Sequence, residues 1–215
     1  MPDALVVSTD RPSYVVLLPV KPPARGKSRL GTLPDDRRRA LAEAFALDTA
    51  AACLATPEVS AVLAVTDDAV LATDLQRAGC ACIPDAGGGL NAALRLAAAE
   101  AARRWPTHQP VALLADLPAL RPADLAAALA ALVPGGPSYV ADAEGTGTTM
   151  YTAPHDEFDP AFGSGSAHAH LASGALAVRG ELATLRRDVD DVDDLRAALA
   201  LGVGPATALA AADLS

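Results

Sequence analysis

The sequence predicts one α/β domain over residues 1–215: a mostly parallel twisted sheet with helices on both faces and a small antiparallel excursion late in the chain. Three observations carry this expectation. Short β-branched apolar runs alternate with longer stretches whose apolar residues recur at helical spacing, the alternation persists from Tyr14 to Val133, and after Pro134 two extended runs follow one another with no helix between them. In such a sheet ligands collect at the carboxyl ends of the strands, so the residues just after each apolar run are the first place to look for chemistry.

The elements follow in order. Residues 1–12 have no periodicity and read as a loose leader. The run Tyr14-Val-Val-Leu-Leu-Pro-Val20 is short and apolar throughout, as a buried strand should be, and a cationic loop over 21–33 follows it. Pro34 opens a helix whose apolar positions are Leu41, Ala44, Phe45, Leu47, Ala51 and Leu54, and which stops before Pro57. Strands are then expected over 61–66, 80–83 and 111–115, with helices over 68–78, 90–104 and, opened by Pro122, 122–133. Strands over 139–141 and 148–153 form the antiparallel excursion. A Gly/Ser-rich loop, a short helix near 167–173, a strand ending at Asp188 and a final helix over 192–201 complete the reading.

Composition narrows the function classes. A net charge of -9 in 215 residues argues against nucleic acid, whose phosphates reward clustered Lys and Arg, although a small anion can still bind where cations are concentrated locally. No stretch approaches the roughly 18 uninterrupted apolar residues of a membrane span, and the N-terminus lacks a basic segment followed by an apolar one; a cytoplasmic protein without a membrane partner is expected. Cys53, Cys80 and Cys82 match neither a zinc site nor a redox CxxC and read as reduced core residues. The oligomeric state is open, with a homodimer among the expectations.

Four clusters could carry chemistry. Lys21, Arg25, Lys27 and Arg29 gather around Gly26 at the end of the first strand, where they form either an anion-binding loop or a solvated basic one; the P-loop spacing is absent. In Pro84-Asp85-Ala86-Gly87-Gly88-Gly89-Leu90-Asn91 the glycines let backbone approach a flat ligand, and Asn91 either reads a base or ribose or caps the helix. Asp116 follows a central strand and Asp188 a second one; each alone suits an N-cap or a surface position, but converging they suit Mg²⁺, which takes one or two carboxylates plus phosphate oxygens. Glycines flanked by hydroxyls around Thr146–Thr149 and Phe162–Ser166 suit a small phosphate or an ordinary hairpin and loop. His155, His168 and His170 have no standard metal spacing.

Taken together, Val20-Lys21 with Lys27-Ser28-Arg29-Leu30, Gly89-Leu90-Asn91, Asp116-Leu117-Pro118-Ala119-Leu120, Gly145-Thr146-Gly147-Thr148, Phe162-Gly163 with Ser166 and His170, Asp188-Val189-Asp190 and the run from Leu201 to Thr207 resemble the 2-phospho-L-lactate guanylyltransferase family. The likeness is greatest to its phosphoenolpyruvate-using branch, which serves biosynthesis of coenzyme F-420, and extends from Val20 to Thr207. The resemblance implies a fold like the nucleotide-diphospho-sugar transferases, GTP and phosphoenolpyruvate as substrates and Mg²⁺ as cofactor. It implies that Asp116 and Asp188 hold the metal and that Thr148, Gly163 and Ser166 hold the acceptor. Lys21, Arg25, Lys27 and Arg29, together with Asp85, Gly89 and Asn91, would bind the nucleotide, with Lys27, Asp116 and Asp188 counted as catalytic. The chain departs from the family's pattern at Pro22-Pro23. Rival readings are the same chemistry on 2-phospho-L-lactate or 3-phosphoglycerate, a molybdenum-cofactor or sugar-phosphate nucleotidyltransferase, and a GTP-binding regulator without catalysis.

Overall fold

The computed structural model describes residues 13–20 and 33–212. At its centre is β1 (Tyr14–Pro19), six consecutive buried residues. The run is apolar without interruption because neighbours occupy both of its edges: β2 (Val59–Val65) and β4 (Gln109–Leu113) each pair with it in parallel. β3 (Ala81–Ile83) extends the parallel set beyond β2. Alternation along β1 divides the core, with Tyr14, Val16 and Leu18 facing one layer and Val15 and Leu17 the other.

The first layer contains α1 (Asp35–Leu54), α2 (Ala69–Ala78) and α4 (Pro122–Ala130), which bury Ala50, Cys53, Leu71, Leu75, Leu125 and Leu129 against the sheet. The second is built on α3 (Leu90–Arg104), whose buried residues are Ala93, Leu94, Ala97, Ala98 and Ala101. A helix face made mostly of methyl groups lies close to the sheet, which is where the alanine-rich composition finds its use. Each fully buried leucine contributes about 1.5–3 kcal/mol. Local signals set the ends: the Asp68 side chain accepts from the Val70 and Leu71 amides to start α2, and Pro122 stands in the first turn of α4. Cys53 and Cys80 are buried free thiols; burial pushes both up, Cys80 to about 12.

The antiparallel excursion is β5 (Ser138–Ala141) and β6 (Thr148–Thr152), with β6 also antiparallel to β4, and the sheet closes on β7 (Leu176–Ala177), parallel to β5. The order is β3-β2-β1-β4-β6-β5-β7. Leu113 pairs with Met150 and Ala141 with Thr148, a register that sets the start of β6 and the end of β5 at the same edge as the carboxyl ends of β1 and β4.

The strand expected to end at Asp188 does not form. β4, beside which the segment lies, already has β1 and β6 as neighbours, so neither of its edges is open to it. Leu182 and Leu185, buried three residues apart, instead place a short helix, α6 (Ala183–Arg186), against the core, and Asp188 follows it in irregular chain. After α5 (Ser166–Ala172) and α6 come α7 (Val192–Leu201), opened by a capping box between Asp191 and Asp194, and α8 (Pro205–Ala210), which lies beyond the last helix expected from the sequence. The buried Asp48 of α1 caps α8 by accepting from the Ala206 and Thr207 amides at 3.1 and 2.7 Å. No helix among the described residues is long and apolar enough to cross a membrane.

Candidate active site

From β1 the chain steps outward through β2 and β3, then returns to place β4 on the other side of β1, making a topological switch point at the β1–β4 carboxyl edge. A cleft of about 660 Å³ opens at this edge, within the roughly 300–1,000 Å³ usual for small-molecule sites. Its walls come from four segments distant in sequence: Leu114 and Asp116 after β4, residues between Asp142 and Thr148, residues from Phe162 to Ser166, and carboxylates between Asp188 and Asp194, with Leu90 at the start of α3.

Asp116 is held from two sides. The Thr49 hydroxyl, buried on α1, accepts from the Leu117 amide at 3.1 Å and donates to the Ala115 carbonyl at 3.4 Å, bracketing the aspartate's backbone. The Val189 amide donates to the Asp116 carbonyl at 3.0 Å, and Val189 is fully buried. That bond brings the Asp188 segment alongside Asp116, so the two carboxylates reach one cleft without a second strand. Arg186 secures the segment by donating to the Ala141 and Val178 carbonyls, and Arg187 bridges Glu144 and Asp194 at 3.1 and 3.2 Å.

The opposite wall is organised by polar side chains, of which His170 is fully buried and Asp142 and Asn91 are partly so. Asp142 accepts from the Thr146 and Gly147 amides, shaping the loop that ends at Thr148; a Cβ on Gly147 would collide with that carboxylate and displace it from the amides it holds. Asn91 brackets Phe162, with its Nδ2 donating to the Phe162 carbonyl and its Oδ1 accepting the Phe162 amide, both at 2.9 Å. Gly163 follows at φ 142, a conformation that side chains avoid. His170, fully buried on α5, accepts the Ala161 amide at Nε2, lies 3.0 Å from the Thr148 hydroxyl at Nδ1, and stacks on Tyr151 at 4.6 Å. Burial lowers its pKa to about 4, with a small opposing effect from a backbone hydrogen bond at Ser166.

Thus Asp116, Asp188, Thr148, Gly163 and Ser166 meet in one cleft. Asp85, Gly89 and Asn91 are absent from its lining. Asp85 accepts from the Gly87 amide in its own loop, Gly89 rather than Asn91 is the N-cap of α3, and Asn91 spends its amide on Phe162. Lys21, Arg25, Lys27 and Arg29 lie outside the described residues. Thr49, and the clamping roles of Asn91 and His170, are what sequence reading missed; the partners of Thr49 and Asn91 stand 66 to 71 residues away, beyond any local pattern.

Seven Asp or Glu residues line the cleft and no described Lys or Arg does, so a polyphosphate would be repelled without added positive charge. Among the described residues no group of three or more His, Cys, Asp or Glu is arranged to hold a metal ion by itself. A pair of hard carboxylates with room for ligand oxygens suits a divalent ion that completes its shell with phosphate and water.

Known proteins match this arrangement. The profile of the family described as "Guanylyl transferase CofC like" matches residues 14–200. The phosphoenolpyruvate guanylyltransferase of Salinispora arenicola is 51% identical over 201 residues, covering 91% of this chain and 92% of that protein; its counterpart in Thermomonospora curvata is 50% identical over 204 residues, covering 93% and 89%. A solved structure of a putative nucleotide-diphospho-sugar transferase from Desulfovibrio desulfuricans G20 shares the fold at TM-score 0.61 and 16% identity, over 89% of this chain and 97% of that one. With a strand order, a switch-point cleft and a sequence that all agree, this chain belongs to the CofC-like guanylyl transferase family.

Proposed function

We propose that this chain, acting as a single domain, transfers the GMP unit of GTP to the phosphate of phosphoenolpyruvate, giving enolpyruvyl-2-diphospho-5'-guanosine and pyrophosphate, with Mg²⁺ held by Asp116 and Asp188. The observation that carries the reading is the convergence of Asp116, Asp188, Thr148, Gly163 and Ser166 on one cleft from separate parts of the chain. Homology to proteins named phosphoenolpyruvate guanylyltransferase supports the choice of acceptor. The reading has the enzyme in the cytoplasm, where both substrates are made, and allows a homodimer.

In the reaction an oxygen of the acceptor phosphate attacks the α-phosphorus of GTP in line. A new P–O bond forms while the α–β bridging bond breaks, its electron pair leaving with pyrophosphate. The attacking oxygen is largely ionised near neutral pH, so no general base is required, and the barrier is the approach of two polyanions. Asp116 and Asp188 would hold Mg²⁺, which when bound would supply charge neutralisation to the reacting phosphates. Thr148 and Ser166 offer hydroxyl donors to the acceptor, and Gly163 lets backbone approach it. Lys21, Arg25, Lys27 and Arg29 neutralise the departing pyrophosphate, with Lys27 foremost. The loop containing Asp85 and Gly89 faces the nucleotide, and Asn91 acts through Phe162.

A pyrophosphate-release assay with GTP, Mg²⁺ and phosphoenolpyruvate, 2-phospho-L-lactate or 3-phosphoglycerate in turn tests the reading. Turnover should be fastest with phosphoenolpyruvate. A faster rate with another acid reassigns the acceptor, and GTP binding without release for any acid removes the catalytic reading.

A further inference from the structure

We infer that His170 is a positioning residue: by holding its own hydrogen on Nδ1, it makes the Thr148 hydroxyl a donor aimed at the anionic group of the acceptor. The inference rests on the proposed function for the identity of that acceptor, but its geometric part stands on the fold.

One partner of the ring has a fixed polarity. The Ala161 backbone N–H can only donate, and it donates to His170 Nε2 at 2.9 Å. Nε2 must therefore present a lone pair, which rules out both the imidazolium and the tautomer with hydrogen on Nε2. The remaining form carries its hydrogen on Nδ1. That nitrogen lies 3.0 Å from Thr148 Oγ1, so the hydroxyl oxygen accepts and cannot donate in return. Even if part of the Nδ1 hydrogen is shared with the Ser166 backbone, Nδ1 has no lone pair for Thr148 to donate into. The threonine hydrogen must rotate away from the ring. Thr148 is a wall residue of the cleft, where an anionic acceptor would receive it.

The surroundings keep the ring in this state. His170 is fully buried, stacked on Tyr151 with 18° between the planes and meeting Phe162 edge-on at 5.5 Å, so neither a ring flip nor entry of water is easily accommodated. Its low pKa agrees with a neutral imidazole under working conditions. The same ring fixes Ala161 while Asn91 fixes both backbone groups of Phe162, so the chain entering Gly163 is set before any ligand arrives. A donor oriented in advance has no reorganisation cost when the acceptor binds.

Two measurements test this. In ¹⁵N spectra of the full-length protein labelled at histidine, with the His170 signals assigned by their loss in His170→Gln, Nδ1 should be protonated and Nε2 unprotonated at pH 7; a protonated Nε2, on either a neutral or a charged ring, overturns the inference. In kinetics, His170→Gln keeps an acceptor for Ala161 but no longer fixes a ring N–H at the Nδ1 position facing Thr148, and should raise the acceptor KM about 10-fold while the GTP KM stays within about twofold. In a Thr148→Val background the same change should add less than about twofold. Equal penalties in both backgrounds, or an equal rise in the GTP KM, would mean that His170 acts only as core packing. Should His170→Gln fail to fold, Thr148→Val assigns nothing to His170, and the tautomer, read from the unmodified protein with signals assigned through His108→Gln, His155→Gln and His168→Gln, decides the matter. Failure of the proposed function is separately visible, as absence of pyrophosphate release by the unmodified chain with every acid.

Discussion

The β3-β2-β1-β4 half of the sheet and the β6-β5-β7 half reach the same cleft by different means. In the first, parallel strands run straight into the site: β4 delivers Asp116 by continuing three residues past its end, and one buried hydroxyl, that of Thr49, steadies it. In the second, β6 meets the cleft at its amino end, β5 and its parallel neighbour β7 are short, and the walls are irregular chain held by Asp142, Asn91, His170 and Arg187. Parallel architecture supplies position mainly through the backbone, with one side chain to steady it. Irregular chain relies on polar side chains to hold it, so this second wall should be the more sensitive to single substitutions outside the cleft lining.

The largest expected effect lies on the first half. Asp116→Asn should lower the rate of pyrophosphate release by on the order of 10³-fold, with circular dichroism and Tm close to those of the unmodified protein; ordinary turnover in that variant would remove the carboxylate from the chemistry. Next is the pH dependence of stability, which belongs to the second half. The folded pKa of His170, about 4, lies below the ordinary 6.5, so the unfolded chain binds the proton more tightly. The stabilisation is complete above pH 6.5 and is lost as the pH falls towards 4, by on the order of 3 kcal/mol. Urea titrations at intervals across that window should show the loss, and in His170→Gln its contribution should be missing.

Asn91→Leu strips both partners from Phe162 and should cost about 10–100-fold in kcat/KM for the acceptor, leaving the GTP KM unchanged; a matched rise in both KM values would blur the division between the halves. Thr49→Val should cost about 1–2 kcal/mol in stability, since the buried Leu117 amide loses its acceptor, and should lower kcat more than either KM. Smallest is Arg95→Ala. Arg95 reaches the same irregular segment as Asn91 by pairing with Asp159 at 2.6 Å, but both groups are largely exposed, so denaturation should register a change below about 0.5 kcal/mol.

The same contrast explains what is legible in the sequence. Helices over 90–104 and 192–201 have the bounds that the sequence predicts, because glycine before Leu90 and Asp191 before Val192 are local stop and start signals. The parallel strands are recognisable from unbroken apolar runs. The expected strand at Asp188 gives way to a helix because burial of Leu182 and Leu185 reflects one helical turn, and a short apolar sequence does not distinguish the two. α8 is hidden in the sequence because it is six residues long and owes its start to Asp48, more than 150 residues earlier. Among site residues, Asp116, Asp188, Thr148, Gly163 and Ser166 stand out through the family resemblance. The clamping roles of Asn91 and His170 do not, although the resemblance includes both residues, since an asparagine at a helix start reads as a cap until the fold brings Phe162 beside it.

If Asp116 and Asp188 act as one site across the join made by Val189, their contributions to turnover cannot be independent. The decisive measurement is a double-mutant cycle on kcat for pyrophosphate release, using Asp116→Asn, Asp188→Asn and the pair at saturating GTP, phosphoenolpyruvate and Mg²⁺. Either single change should remove nearly all turnover and the pair should be little worse than the more damaging single. Independent, multiplying losses in well-folded variants, or near-normal turnover without the Asp188 carboxylate, would show that the two side chains do not share an ion.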